Sequence, residues 1–150
     1  MRTTWVVAAD SGRARIFETE GTGKNFHEIQ DFVNEAGRER DQDLRSDAKG
    51  RFWGKGERHQ GHTTDPDIDA PRHETELFAK QVAEYLEKGR VEHLYDGLFL
   101  VADPQFLGIT RAKLSNEAKQ LIQRELPKDI SWLDEKDIAE FYVKNRLPDS

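Results

Sequence analysis

The order of segments along the chain predicts a mixed α/β fold, a five-stranded sheet with helices packed against it. Three observations lead there. The first residues hold two β-rich runs, "TTWVVAAD" and "RARIFE", separated by Ser11-Gly12. The middle carries "GLFLVAD", a continuous apolar run of the kind a strand needs when both its faces are covered. Between and after these lie stretches whose apolar residues recur at helical spacing.

Taken in order, Ser11-Gly12 suits a two-residue hairpin turn, and in the second run Ala14 and Ile16 alternate with Arg13 and Arg15 as in a half-buried strand. "FHEIQDFV" reads as a third strand, with a short helix as the alternative. No sustained periodicity follows across residues 34–70, so a long loop is expected there. Pro71 then suits a first helical position, and Phe78, Val82, Tyr85 and Leu86 share one face of a helix that should stop near Gly89. "GLFLVAD" is the central strand. Asp103-Pro104 should start a helix reaching toward Leu114, and Ser115 should cap another through about Leu126, with Ala118, Leu121 and Ile122 as its stripe. "DISWL" is the candidate fifth strand. Asp134 should cap a last helix, with Leu133 and Ile138 spaced as a hydrophobic staple and Ile138, Phe141 and Tyr142 as its apolar face.

Composition bounds the function. A chain of 150 residues fits a single domain, here 1–150 with the loop at 34–70, and shows no internal repeat. There are no cysteines, which removes disulfides, thiolate nucleophiles and Cys-based metal centres. The amino terminus meets Asp10 before a signal-peptide core could form, and no run approaches the ~18 apolar residues of a membrane span, so a soluble cytoplasmic protein without membrane contact is expected. The net charge of −6 repels nucleic acid from the molecule as a whole, so any such contact must be local.

The long loop offers that locality. Arg45, Lys49, Arg51, Lys55 and Arg58 outnumber Asp47 and Glu57, glycines allow close approach to phosphate, and Phe52 and Trp53 offer stacking surfaces. The alternative is a solvated loop whose two aromatics anchor it to the core.

Several blocks also carry a resemblance: "TTWVVAADSGRARIFE", the "SDAKGR" of Ser46 to Arg51, and "HETELFAKQVAEYLEKG" leading into "YDGLFLVADPQFLGITRAKLS". Together they resemble the bacterial family of host attachment proteins over nearly the whole chain. That family is similar to the central domain of archaeal and eukaryotic peptide release factors, which implies a ribonuclease-H-like fold. In those proteins a basic, glycine-rich loop before a long helix presents Gly-Gly-Gln to the ribosome. Lys49 to Gly61 occupies the corresponding slot, but Gly54, Gly56 and Gln60 are not contiguous. The resemblance therefore implies a ribosome- or RNA-facing ancestry without peptide release, with Arg45, Lys49, Arg51, Phe52, Trp53, Lys55, Arg58 and Gln60 as the candidate contacts to structured RNA. The family's name implies attachment to a host, which in a chain without an export signal would be indirect.

Two other chemistries are open. A ribonuclease-H-like order would let Asp10 and Asp103, at strand ends, join Glu76 or Glu84 on the intervening helix to hold two divalent ions for phosphodiester cleavage. Beside a hairpin turn and before a helix-starting proline, however, those aspartates also suit purely structural roles. His59, His62 and Asp65 recur at three-residue spacing, with His73 beyond, and could ligate a transition metal. Asp65, Asp67, Asp69 and Glu76 space like a calcium loop, but Ala70-Pro71 stands where a glycine's freedom is required. No nucleotide or dinucleotide fingerprint occurs, since Gly54-Lys55-Gly56 lacks the further glycine, and no cofactor is expected.

Overall fold

The structure is a computed structural model that describes residues 2–36 and 66–147. Five strands form one mixed sheet: β1 (Thr3–Asp10), β2 (Arg13–Glu20), β3 (His27–Val33), β4 (Gly97–Ala102) and β5 (Ile122–Leu126). Their spatial order is β3-β2-β1-β4-β5, with β1, β2 and β3 antiparallel in turn and β4 and β5 parallel to β1. Four helices lie among the described residues: α1 (Pro66–Val91), α2 (Pro104–Lys113), α3 (Asn116–Gln120) and α4 (Glu135–Asn145). This is the mixed α/β architecture the sequence predicts, and its strand order is compatible with a ribonuclease-H-like arrangement.

Alternation along the strands builds two cores. Trp5, Val7 and Ala9 of β1, with Leu98, Leu100 and Ala102 of β4, face Phe78, Val82 and Leu86 of α1 and Phe106 of α2. The intervening residues Val6, Ala8, Phe99 and Val101 face Ile138 and Tyr142 of α4. Every residue of β4 is buried, which is why its sequence is an unbroken apolar run.

Local chemistry sets the helix starts. Asp103 Oδ2 accepts from the Phe106 amide at 3.0 Å, Ser115 Oγ from Ala118 at 3.0 Å, and Asp134 Oδ1 from Asp137 at 2.8 Å. The staple forms as expected, with Leu133 packed on the cluster that holds Ile138. "FHEIQDFV" is a strand, because β2 supplies an antiparallel partner from Glu18 to Arg13.

Four expectations are corrected. The helix through Pro71 begins earlier, at Pro66, itself a residue with the fixed φ of a first position. It also passes Gly89 and ends at Val91, after which His93 takes the left-handed conformation at φ 59°. The helix from Ser115 stops at Gln120. Residues Ile122 to Leu126 form β5 instead, since the open edge of β4 offers a parallel ladder that outweighs helix propensity over so short a run. "DISWL" is a turn: Asp129 Oδ1 accepts from both the amide and the hydroxyl of Ser131, at 3.0 and 2.7 Å, and this local bonding displaces a ladder.

Gly89 stands where a close approach requires it. A Cβ there would lie 2.6 and 2.7 Å from atoms of the Trp5 ring and 3.1 Å from Tyr95. Trp5 cannot give way, because it stacks on Tyr85 at 5.4 Å and packs at a tilt against Tyr95 at 4.7 Å between ring centroids. Gly→Ala inside a helix normally gains about 1 kcal/mol, whereas overpacking costs about 1–3 kcal/mol. Gly89→Ala is expected to lose stability on balance, by about 1 kcal/mol in urea denaturation; a variant at or above the wild-type midpoint would contradict this packing.

Candidate functional site

The parallel strands β1, β4 and β5 all end on one side of the sheet, the side on which open α/β sheets place their ligands. Here a cavity of about 260 Å³ is lined by Asp10, Asp103 and Asp129 together with Ser11, Thr75 and Gln105.

Each carboxylate arrives there for a local reason. Asp10 ends β1, and its Oδ1 accepts from the amides of Gly12 and Arg13 at 2.8 and 2.9 Å, closing the hairpin turn. Asp103 follows β4 as the cap of α2, and its own amide donates to Ala9 O at 3.1 Å, fixing it beside β1. Asp129 organises the turn after β5. Burial, followed by the hydrogen bond and charge of Asp129, raises the Asp10 carboxyl to about 6, against the two amides that lower it.

The turn at 129–133 is held to the sheet by a buried arginine. Arg15 of β2 donates to the backbone carbonyls of Ser131 and Leu133 and makes a two-pronged pair with Glu28 of β3, at 3.1 and 3.0 Å. Trp132 lies between those two carbonyl anchors. It is 73% exposed, and its indole Nε1 donates to Asp129 O at 3.1 Å.

Of the residues the sequence nominates, the structure brings Asp10 and Asp103 to one cavity. Glu76 is instead engaged by Arg72 one turn back along α1, at 3.4 Å, and Thr75 is the α1 side chain that lines the cavity. Glu84 lies beside Lys80 at 4.0 Å on a separate groove bounded by Lys113 and Ser115. Among the described residues no three His, Asp or Glu side chains converge closely enough to hold a metal ion. Oδ1 of Asp10 is taken up by the turn, and its Oδ2 faces the Ser131 hydroxyl. Arg45, Lys49, Arg51, Phe52, Trp53, Lys55, Arg58 and Gln60, and the metal candidates His59, His62 and Asp65, lie outside the described residues.

The stretch of chain that leads into that segment is described, and it lies against α1. Asn34 donates from its amide to Gly12 O at 3.0 Å and from its side chain to Ser11 O at 2.9 Å. Val33, Asn34 and Ala36 line a second cavity, of about 230 Å³, with Glu74, Leu77 and Phe78 of α1. The end of β3 and the first half of α1 are therefore neighbours, beside the turn that Asp10 closes.

Sequence reading missed Asp129, Ser131 and the anchoring by Arg15. The signal for the first two was present as Asp-x-Ser, a turn-forming pattern. Arg15 looked like a solvated strand residue and is 7% exposed.

A single mixed sheet with helices on both faces and a polar cavity at the ends of its parallel strands defines the class as an α/β domain. The chain belongs to the family described as "protein required for attachment to host cells", whose pattern matches residues 5–141. No curated protein matches the sequence significantly.

Replacing Arg15 by Met keeps the stem but leaves Glu28 and two carbonyls without their donor. Breaking a buried ion pair costs about 3–5 kcal/mol, and the partial exposure of Glu28 places the expected loss near about 3 kcal/mol in chemical denaturation. A loss below about 1 kcal/mol would show that solvent replaces the guanidinium there.

Proposed function

We propose that this protein is a non-catalytic binding factor for structured RNA, on the ribosome or in another particle, and that the contact is made by the segment from Arg45 to Gln60. In this reading Arg51, Lys55 and Arg58 neutralise phosphates, and Phe52 or Trp53 stacks on a base.

One observation carries it. Ala36, the last described residue before the segment, lies beside Glu74, Leu77 and Phe78 of α1 at the ligand-facing end of the sheet. The cation-rich run thus follows a part of the fold that lies beside this end of the sheet, on a chain whose net charge is −6. The cavity beside it displays three carboxylates, which repel phosphate, so the attraction must come from the segment and not from the sheet edge. The resemblance to release-factor central domains supports the same direction of binding. The absence of a contiguous Gly-Gly-Gln separates it from their hydrolytic step.

The family's description favours a second reading, a part in attachment to another cell. Under it the protein is found outside the cytoplasm or in complex with a surface component, which cell fractionation with an antibody detects.

Neutralising about three phosphates on single-stranded RNA gives a log–log salt slope near about −2. Co-sedimentation with ribosomes from a lysate is therefore expected to weaken by about tenfold or more between about 50 and about 200 mM salt. The triple substitution Arg51→Ala, Lys55→Ala, Arg58→Ala should abolish it while leaving the melting temperature unchanged. Protein that stays in the supernatant at both salts, or a triple variant that pellets like the wild type, would overturn the reading.

A further inference from the structure

Ser131 is 2% exposed, and its hydroxyl lies within reach of two carboxylates, 2.7 Å from Asp129 Oδ1 and 3.3 Å from Asp10 Oδ2. Both contacts call on the hydroxyl as donor, yet a hydroxyl has one proton. With both aspartates ionised, one of these contacts is oxygen against oxygen with no hydrogen between. One additional proton completes the set. A protonated carboxyl donates into the cluster while Ser131 donates to the other aspartate, and every close contact becomes a hydrogen bond.

We propose that Asp10, Ser131 and Asp129 form a one-proton latch that fastens the end of β1 to the β5–α4 connection, closed while the proton is held and loosened when it leaves. Asp10 is the member that holds it. Burial does most to raise its carboxyl to about 6, and the carboxylate of Asp129 adds to this by hydrogen bond and by charge.

The surrounding charges leave that balance to the pair. From β2, Arg13 feels the Asp10 charge, but its guanidinium is committed to Asp31 of β3 by two bonds, at 3.1 and 2.8 Å. Arg15 is committed to Glu28 and to the carbonyls of Ser131 and Leu133. Asp103 faces the cavity from the cap of α2, and α1 contributes the uncharged Thr75. At the head of α4, Asp134 receives the Asp137 amide, and Glu135 the amide of Glu28. Lys128 lies over the Phe141 ring at 5.7 Å.

Because the native carboxyl holds its proton more tightly than the unfolded chain does, the latch contributes fully below the ordinary aspartate value of 3.8 and is lost as pH rises through about 6. The Arg15 anchor does not involve the Asp10 carboxyl, so opening loosens the Asp129 side of the connection while Arg15 still holds Leu133 O. Trp132, bonded to Asp129 O, sits between the two ends and reports the change. The latch does not depend on the RNA-binding reading.

The test is an NMR titration of the side-chain carboxyl carbons and of the Trp132 indole N–H, from about pH 4 to about pH 8. Asp10 is expected to titrate near about 6, with the Trp132 signal stepping at the same midpoint. Asp10→Asn keeps the acceptor for the hairpin turn and gives Ser131 a permanent N–H donor. It should remove the Trp132 step, hold that signal at its acidic position, and melt higher than the wild type at about pH 8. Ser131→Ala takes away the shared hydroxyl and should lower the Asp10 midpoint by a measurable fraction of a unit. An Asp10 carboxyl that titrates near about 4, as a solvated aspartate does, or a Trp132 step that survives Asp10→Asn, would overturn the proposal.

Discussion

Strand β1 is hydrogen-bonded along both edges and covered on both faces, and the rest of the molecule is arranged to permit this. Its antiparallel partner β2 follows at once through a two-residue turn, whereas its parallel partner β4 arrives only after a crossover that includes α1. A strand so enclosed has no solvent face on which to spend polar residues between Trp5 and Ala9. Asp10 is the first residue past that enclosure able to carry charge. The turn, the neighbouring cap at Asp103 and the Asp129 connection all gather around the point where the chain leaves the buried layer.

The two faces of β1 meet different partners. On one side α1 approaches so closely that it carries a glycine against the Trp5 ring. On the other, α4 meets the sheet through Ile138 and Tyr142, and the Tyr142 hydroxyl reaches Gly21 O at 2.9 Å, tying the last helix to the β2–β3 turn. The second core closes late in the chain, so the β5–α4 connection is anchored at both ends: by Arg15 and the cluster at Asp10 on one side, and by the staple and cap of α4 on the other.

What was legible in the sequence was whatever local chemistry decides. A β-rich run gave β1, alternation gave β2, the unbroken apolar run gave β4, and Asp103, Ser115 and Asp134 announced three helices because each bonds an amide three residues on. Strand β5 was hidden, since Ile122 and Leu126 satisfy helical spacing as well as a strand, and only the open edge of β4 decides between them. The cluster at the sheet end was half legible for the same reason. Asp10 and Asp103 follow obvious strands, but Ser131 meets Asp10 across 121 positions, a distance no pattern spans. Arg15 was misjudged because its solvent is replaced by carbonyls from the far end of the chain.

The side-by-side seating of Asn34 and the first half of α1 has a consequence for how this architecture can vary. Once two points of a chain are held together by the folded body, joining them costs only the entropy of closing a loop, and each doubling of its length adds about 0.6 kcal/mol. Among the described residues, Asn34 rests on Gly12, Ser11 and the α1 face. A connection closed in this way can change in length at little expense to the sheet beneath it.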